Sequence, residues 1–248
     1  SWALESNEKA FFLADLGAGV CRSALRHLGV VPSTVFISHN HTDHAAELPL
    51  VLAVESLQKH RSMRVVAAPE VMLRLKTHRM HEMLSTGLPL EAFAEWMEAP
   101  EEEVLRLETE AGELQVTTYK AVHSECCFGA RIVHGEIAIG WTADSAFDRS
   151  FLDILTSKTH LAVVDAREKS SQEHASFQEI KDYVASKPDV SFLGENQGCQ
   201  IAIIGYGAAS ESPSFLEVGI PETAILRPGS VVSFAEEAGC IAAQKTLE

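Results

Sequence analysis

Basic residues are few in this sequence. Its 248 residues include 20 Lys and Arg against 35 Asp and Glu, which gives a formal net charge of −15. Such an excess of negative charge repels the phosphate backbone of a long nucleic acid unless the acid is segregated from a basic patch. A protein that coats DNA or RNA is therefore disfavoured.

Long apolar segments are also missing. No run approaches the roughly 20 apolar residues that a membrane helix needs, and residues 1–9 carry too many charges for a signal peptide. We therefore expect neither a membrane-spanning nor a secreted protein. With 46% hydrophobic residues, the chain is long enough for one large α/β domain or two small ones.

Cysteines occur in no pairing pattern. Cys21, Cys126, Cys127, Cys199 and Cys240 are odd in number and show no CxxC spacing. The adjacent pair would close a strained ring if it formed a disulfide. We therefore expect reduced thiols and a cytoplasmic protein.

Hydrophobic periodicity predicts alternating strands and helices, followed by an antiparallel stretch between residues 114 and 141. Strands are expected at 10–15, 34–38, 64–67, 114–121, 128–133, 136–141, 161–165 and 190–193. Helices are expected at 21–28, 45–58, 70–81, 90–110, 151–157 and 177–186. This rhythm is typical of an α/β protein.

Residues 34–44 join a β-branched strand to three histidines and an aspartate. His39 and His41 are two positions apart, so their imidazoles leave the same face of an extended chain. Asp43 and His44 follow where the next helix begins. Imidazole and carboxylate groups are ligands of zinc, and the cluster predicts half of a two-metal site. The alternative is a polar loop in which Asp43 caps the helix.

Two later residues lie where a predicted strand ends in a loop. His123 follows the strand at 114–121, and Asp144 follows the strand at 136–141. A metal site draws its ligands from several strand ends, so both residues are candidate ligands. Taken singly, each could be a structural histidine or a turn aspartate.

The segment His39-Asn40-His41-Thr42-Asp43-His44 matches the HxHxDH motif, and by it the chain resembles the metallo-β-lactamase superfamily. Three further segments are similar to elements of the ribonuclease Z branch: Gly140-Trp141-Thr142-Ala143-Asp144-Ser145 to Gly-Tyr-x-Gly-Asp-Thr, Val164-Asp165-Ala166 to Glu-Ala-Thr, and His174-Ala175-Ser176 to His-Ser-Thr. Leu13 to Gly19 resembles the family's strand and Asp-containing turn. The resemblance covers roughly residues 10 to 196.

The resemblance implies an α/β fold, an αββα four-layer sandwich of the metallo-β-lactamase type, as a single domain over 1–248. It implies two divalent metal ions, Zn²⁺ or alternatively Mn²⁺. The implied ligands are His39, His41 and His123 for the first metal, Asp43 and His44 for the second, and Asp144 bridging them. A homodimer is also implied.

By the same resemblance, a hydroxide shared by two metals attacks the substrate without a side-chain base. Asp43 and His174 are the expected catalytic residues, with His174 as general acid for the leaving alkoxide. A capping contact at the next helix is the alternative for His174. Asp15 is expected to orient a ligand histidine, or else to serve only as a turn residue.

The chain departs from the family pattern at the last ligand. The family has a histidine after the His-Ser-Thr helix, but no histidine follows His174 in this sequence. Glu195, Asn196 or His174 is expected to take its place, or the second site is weak. The sequence pattern also shows no counterpart of the family's first strand with its Gly-Thr-Gly turn.

A third departure concerns the substrate. The interval between His123 and Asp144 is too short for the RNA-holding arm of tRNA-processing relatives. We therefore expect a metal-dependent hydrolase of a small phosphodiester, such as a cyclic nucleotide, and not of tRNA. The alternatives are a hydrolase of carboxylic esters, lactones or thioesters in the same superfamily, or a metal-poor, non-catalytic binding protein.

Overall fold

The computed structural model describes residues 1–195, 198–205, 214–237 and 240–246. Contacts within the chain divide it into two compact units. Unit 1 comprises residues 1–118 and 125–127, and unit 2 comprises residues 119–124 and those from 128 onward. The expectation of one domain over 1–248 stays a prediction.

Unit 1 contains a five-stranded sheet in the order β1-β2-β3-β4-β5. Its strands are β1 (Trp2–Ser6), β2 (Lys9–Ala14), β3 (Thr34–Phe36), β4 (Arg64–Ala67) and β5 (Glu95–Glu98). β1 runs antiparallel to β2, and the other neighbours are parallel. The central strands are fully buried apolar runs, as expected for a parallel sheet covered by helices.

The helices of unit 1 follow its strands. They are α1 (Val20–His27), α2 (Thr42–Ala45), α3 (Leu48–Leu52), which continues as a π-helix at Ala53–Gln58, and α4 (Pro69–Arg74), which continues as a π-helix at Leu75–Arg79. Two 3₁₀ turns follow at His81–Thr86 and Leu90–Ala92. An antiparallel hairpin pairs β6 (Val104–Thr109) with β7 (Gly112–Lys120).

Unit 2 is built on strands in the order β12-β13-β10-β9-β8. They are β8 (Phe128–His134), β9 (Ile137–Trp141), β10 (Leu161–Arg167), β12 (Val190–Phe192) and β13 (Cys199–Ile204). β8 and β9 are antiparallel, whereas β9, β10, β13 and β12 are mutually parallel. The short β11 (Ala175–Ser176) pairs with the end of β10.

The remaining elements of unit 2 are helical except for one hairpin. Its helices are α5 (Arg149–Thr156), α6 (Phe177–Ala185), α7 (Ser214–Val218) and a 3₁₀ turn at Glu222–Ala224. The antiparallel hairpin joins β14 (Val231–Glu237) and β15 (Cys240–Thr246). None of the helices in the described ranges combines the length and apolar character that crossing a membrane requires.

Two sequence expectations need correction. The helix predicted over 90–110 is wrong, because that segment contains the strands β5 and β6 and only a short 3₁₀ turn at Leu90–Ala92. Glu, Leu and Ala are good helix formers, but helix propensity is a weak preference, and pairing with neighbouring strands overrides it here. A strand, β1, also precedes the one that the pattern placed first.

Candidate metal centre

Unit 1 brings the three histidines of the HxHxDH motif together after β3. The ring centroids of His39 and His41 are 4.7 Å apart, and those of His39 and His44 are 4.1 Å apart. His39 is fully buried. His41 is the N-cap residue of α2, so the alternative in which Asp43 caps this helix is wrong. The Asp43 side chain is 71% exposed, with Oδ2 3.6 Å from His44 Nε2.

The Asp15 carboxylate contacts this histidine cluster through hydrogen bonds. Its carboxylate accepts hydrogen bonds from the Ser38 amide (2.8 Å) and hydroxyl (2.9 Å), and it lies 2.5 Å from His44 Nδ1. The Ser38 hydroxyl in turn lies 3.0 Å from His39 Nδ1. Asp15 therefore reaches one histidine directly and another through one hydroxyl, which fixes the Nδ1 side of both rings. The contact with His44 agrees with the expected orienting role of Asp15, which itself stays a prediction.

The turn that carries Asp15 is fastened to α2. The Leu16 amide donates to His44 O (2.7 Å), and the Glu47 carboxylate accepts bonds from the amides of Gly19 (2.8 Å) and Cys21 (2.7 Å). A Cβ at Gly17 would lie 1.7 Å from the carbonyl oxygen of Asp43. Only glycine therefore allows the turn and the helix to approach this closely.

Two further side chains of unit 1 contact the motif. Arg79 donates from Nε to Asn40 Oδ1 (3.0 Å) and from Nη2 to the Asn40 carbonyl (2.6 Å), which fixes the residue between His39 and His41. Buried Cys127 places Sγ 3.6 Å from His39 Nδ1. Burial of Cys127 is typical of a small core residue.

Unit 2 assembles a second cluster at the ends of β9 and β10. Ligand atoms of Asp144, Asp165 and His174 lie within 4.8 Å of one another. Asp165 Oδ2 is 2.6 Å from His174 Nδ1, and Asp144 Oδ2 is 3.9 Å from the same nitrogen. All three residues are buried. The ring centroid of His123 lies 6.1 Å from that of His174.

The protonation of Asp165 reflects this burial. Burial raises the pKa of the Asp165 carboxyl to about 6, and the negative charge of Asp144 also raises it, whereas the hydrogen bond and charge of His174 lower it. Asp165 Oδ1 is buried and has no hydrogen-bond partner among the described residues. A carboxylate oxygen in that state fits a position beside a cation.

Ser145 connects the loops that carry these residues. Its carbonyl accepts a bond from the Ala175 amide (2.9 Å), beside His174, and its hydroxyl accepts one from the Val122 amide (3.2 Å), beside His123. Ala143 adopts φ 53, a left-handed conformation that L-residues rarely adopt. The Asp144 loop is thus held in a strained shape by bonds to its neighbours.

The structure separates the three candidates for the last ligand. The Glu195 carboxylate accepts a bond from the Phe192 amide (3.1 Å), within its own turn. Asn196 lies outside the described residues. His174 alone of the described candidates lies in a His/Asp cluster. It does not cap α6, because Ser176 and Glu179 form a capping box there, so that alternative for His174 is wrong.

The donor set suits a divalent metal. Histidines whose Nδ1 contacts a carboxylate or hydroxyl present Nε2 as the ligand atom, and neighbouring carboxylates supply negative charge. Each unit holds part of such a set: His39, His41 and His44 in unit 1, and Asp144, Asp165 and His174 in unit 2. The chain therefore has His/Asp groups that could hold metal.

Sequence reasoning did not assign a role to two residues of unit 2. Asp165 lies in the segment that resembles Glu-Ala-Thr, at the end of a predicted strand, and this position could have indicated a functional residue. Arg167 had no signal at all. Its guanidinium lies 3.9 Å from both Asp144 Oδ2 and Asp165 Oδ1.

The sequence matches the family model described as anti-Pycsar protein Apyc1 over residues 2–189. The chain belongs to the Apyc1 family. No curated protein matches its sequence, so the other comparisons of this Apyc1-family chain are with solved structures.

Three solved structures illustrate what the chain is similar to. The metallo-β-lactamase fold protein YhfI from Bacillus subtilis is 17% identical, with TM-score 0.57 over 75% of this chain and 74% of that one. The short form of human tRNase Z is 17% identical, with TM-score 0.55 over 81% and 88%. Unliganded yeast PDE1 is 12% identical, with TM-score 0.59 over 86% and 76%. These structures confirm the predicted fold class, an α/β fold of the metallo-β-lactamase type.

Proposed function

We propose that this Apyc1-family chain is a metal-dependent hydrolase that uses two divalent ions to cleave a small phosphodiester. The observation that carries the proposal is the histidine cluster of unit 1, whose ring centroids lie 4.1 and 4.7 Å apart over the Asp15 carboxylate. Such a cluster, placed where a buried strand ends, is expensive to maintain for packing alone.

We propose the six ligands that the family pattern implies. They are His39, His41 and His123 for one metal, Asp43 and His44 for the other, and Asp144 as the bridge. When bound, such ions bring the pKa of coordinated water down to about 7 and neutralise charge on a phosphoryl oxygen. Zn²⁺ is the leading candidate because imidazole and carboxylate groups are its common ligands, and Mn²⁺ is the second because carboxylates also suit Mn²⁺.

His174 is the proposed general acid. The Asp165 carboxylate 2.6 Å from Nδ1 holds the ring in one orientation. Nε2 is then the atom that delivers a proton to the leaving alkoxide oxygen. Asp43 is the second proposed catalytic residue, and it acts as a ligand of the metal.

A small substrate suits the charge of the chain. At a formal charge of −15, a long nucleic acid is repelled along its whole length, whereas a small phosphodiester meets only the charges near the site. Two of the structural relatives are named as a tRNase Z and a PDE1. We propose a compound such as a cyclic nucleotide and not tRNA.

The first test is metal content per chain by plasma mass spectrometry. Protein purified without added metal is measured beside protein reconstituted with Zn²⁺ or Mn²⁺, and hydrolysis of bis-p-nitrophenyl phosphate is followed on the same samples. We expect about two equivalents and metal-dependent hydrolysis. One equivalent or none after reconstitution would contradict the two-metal proposal and favour a binding protein.

The second test separates a ligand from a general acid. His39→Ala is expected to lose metal, whereas His174→Gln is expected to keep its metal while kcat falls about 10²- to 10⁴-fold. His78→Ala, which removes an exposed imidazole, is the control. Loss of metal from His174→Gln would make His174 the last ligand instead. Activity on lactones without activity on phosphodiesters would replace the proposed substrate class.

The homodimer and the cytoplasmic location stay predictions. Sedimentation equilibrium of the 27.0 kDa chain tests the first.

A further inference from the structure

Arg167 is the last residue of β10 and lies beside the acidic cluster of unit 2. Its Nη2 is 3.9 Å from Asp144 Oδ2, and its Nε is 3.9 Å from Asp165 Oδ1. Both distances are too long for hydrogen bonds. The two carboxylates therefore attract the guanidinium by charge without occupying its N–H donors. The side chain is 36% exposed, so solvent and solutes reach it.

The other part-buried arginines of the described chain differ in this respect. Each donates a hydrogen bond to a protein acceptor, such as Glu55, Glu95 or the Asn40 carbonyl; they are Arg61, Arg64, Arg74, Arg79 and Arg131. The Arg167 guanidinium makes no hydrogen bond to a described residue, and its Nε is buried. Arg131 Nε is also buried without a partner, but the Arg131 guanidinium still donates from Nη2 to the Lys158 carbonyl. Leaving a buried donor without a partner is costly, which indicates that the position is kept for another acceptor.

The backbone at this position is fixed. Arg167 pairs with Ser176 in the parallel bridge between β10 and β11, and Ser176 begins α6 through its capping box. The guanidinium is therefore presented from a rigid strand end and not from a loose loop. A planar guanidinium group with five N–H donors matches the oxygens of a phosphoryl group better than the ammonium group of lysine does.

We infer that Arg167 binds the anionic phosphoryl oxygens of the substrate and makes the site selective for phosphodiesters over neutral esters. This inference rests on the proposed function. An anionic phosphodiester that approaches Asp144 and Asp165 is repelled by carboxylate charge, and the Arg167 guanidinium lies within 4 Å of both carboxylates, where it can offset that repulsion. A carboxylic ester or lactone has no anionic oxygen for the guanidinium to hold, so its binding does not depend on this residue.

The experiment compares Arg167→Gln and Arg167→Lys with wild type after Zn²⁺ loading. Arg149→Gln is the matched control, because it removes one positive charge from the same unit at a residue that contacts Ser186 and Tyr183. Binding of inorganic phosphate is measured by calorimetry, KM and kcat with bis-p-nitrophenyl phosphate, and metal content by mass spectrometry.

For Arg167→Gln we expect phosphate affinity to weaken about 10- to 100-fold, as for loss of charged hydrogen bonds. We expect KM to rise by a similar factor with kcat within about threefold and metal content unchanged, which is the pattern of lost uniform binding. Phosphate affinity and KM of Arg167→Lys should lie between those of wild type and Arg167→Gln, because lysine keeps the positive charge but lacks the planar guanidinium. Arg149→Gln should behave as wild type.

Three results would overturn the inference. The first is unchanged phosphate affinity and unchanged KM in Arg167→Gln. The second is a wild type that does not bind phosphate. The third is loss of metal from Arg167→Gln in proportion to its loss of activity, which would show that Arg167 is only a counter-ion of the carboxylates. Failure of the proposed function looks different: loaded wild type would bind phosphate through Arg167 but hydrolyse no phosphodiester.

Discussion

Asp15 is the residue on which most contacts of the unit 1 histidine cluster converge. Its carboxylate contacts His44 directly and His39 through the Ser38 hydroxyl. It also adopts φ 63, a conformation that aspartate tolerates better than most residues. Position 15 thus requires both a residue that tolerates positive φ and a carboxylate. Asparagine tolerates positive φ but has no carboxylate.

Asp15→Asn is expected to weaken metal affinity about 10- to 100-fold, because the ligand histidines lose the carboxylate that fixes their tautomer and orientation. Competition with a chromophoric chelator measures the affinity. Ser38→Ala, which removes only the bridge to His39, should have a smaller effect. Equal affinity in Asp15→Asn and wild type would show that Asp15 is only a turn residue.

Ala143 stands where the similar family segment has glycine, and its φ of 53 strains an L-residue. Ala143→Gly is expected to raise the free energy of unfolding by about 1 kcal/mol, or the melting temperature by about 2–4 °C. Ala138→Gly, in β9, should instead lower it. Thermal melts of both variants test the prediction, and destabilisation by both would contradict it.

Glu55 is a buried carboxylate paired with Lys59 (2.7 Å) and Arg61 (2.6 Å). Burial alone would raise its pKa, but the hydrogen bonds and charges of these partners outweigh burial and lower the pKa below its ordinary 4.5. A lowered folded-state pKa stabilises the fold above the unfolded value, and this contribution is lost as pH falls through the folded value.

Glu55→Gln is therefore expected to cost about 2 kcal/mol at neutral pH, at the low end for a buried pair because Arg61 and Lys59 are partly exposed. The difference from wild type should shrink as the pH falls below about 4.5. Urea unfolding across pH measures it, with the exposed Glu91→Gln as control. A difference that grows on acidification would refute the assignment.

At the scale of elements, the close approach of the Asp15–Gly19 turn to α2 positions Asp43 and His44. Gly17→Ala would place a methyl group 1.7 Å from the Asp43 carbonyl oxygen, so the turn and the helix must separate. We expect a loss of several kcal/mol, as for overpacking at a rigid contact, together with weaker metal binding.

The control for this variant is Gly29→Ala. Gly29 has φ +72 and open space around it, so its replacement costs only backbone strain of about 1 kcal/mol. Circular dichroism melts and metal titration are compared for the two variants. Equal effects would show that the steric contact at Gly17 is unimportant.

At the scale of the whole molecule, the net charge of −15 predicts poor affinity for long nucleic acids. The metal-loaded protein is expected to hydrolyse bis-p-nitrophenyl phosphate but neither to retain nor to cleave tRNA at about 0.15 M salt, where charges are screened beyond about 8 Å. Gel retardation and a cleavage assay measure this. Specific tRNA cleavage would contradict the substrate proposal.

Much of the fold was readable from the sequence because its signals are local. The predicted strands correspond to β2, β3, β4, β7, β8, β9, β10 and β12, which are apolar or alternating runs. The helices α1, α5 and α6 were also predicted, and the HxHxDH motif is contiguous. The segment 90–110 was misread because its composition favours a helix. Its strands exist only because β5 pairs with β4 and β6 pairs with β7, and such pairings cannot be seen locally.

The sequence by itself determined the residue types and spacing of the candidate ligands, since consecutive positions on one strand end or helix start need no distant partner. Only the tertiary structure decided which side chains meet in unit 2. Asp165 contacts His174 because β11 pairs in parallel with the end of β10. Arg167 lies near both carboxylates because the parallel strands β9 and β10 are neighbours. Contacts of this kind depend on how strands pair across the fold, and no local pattern encodes them.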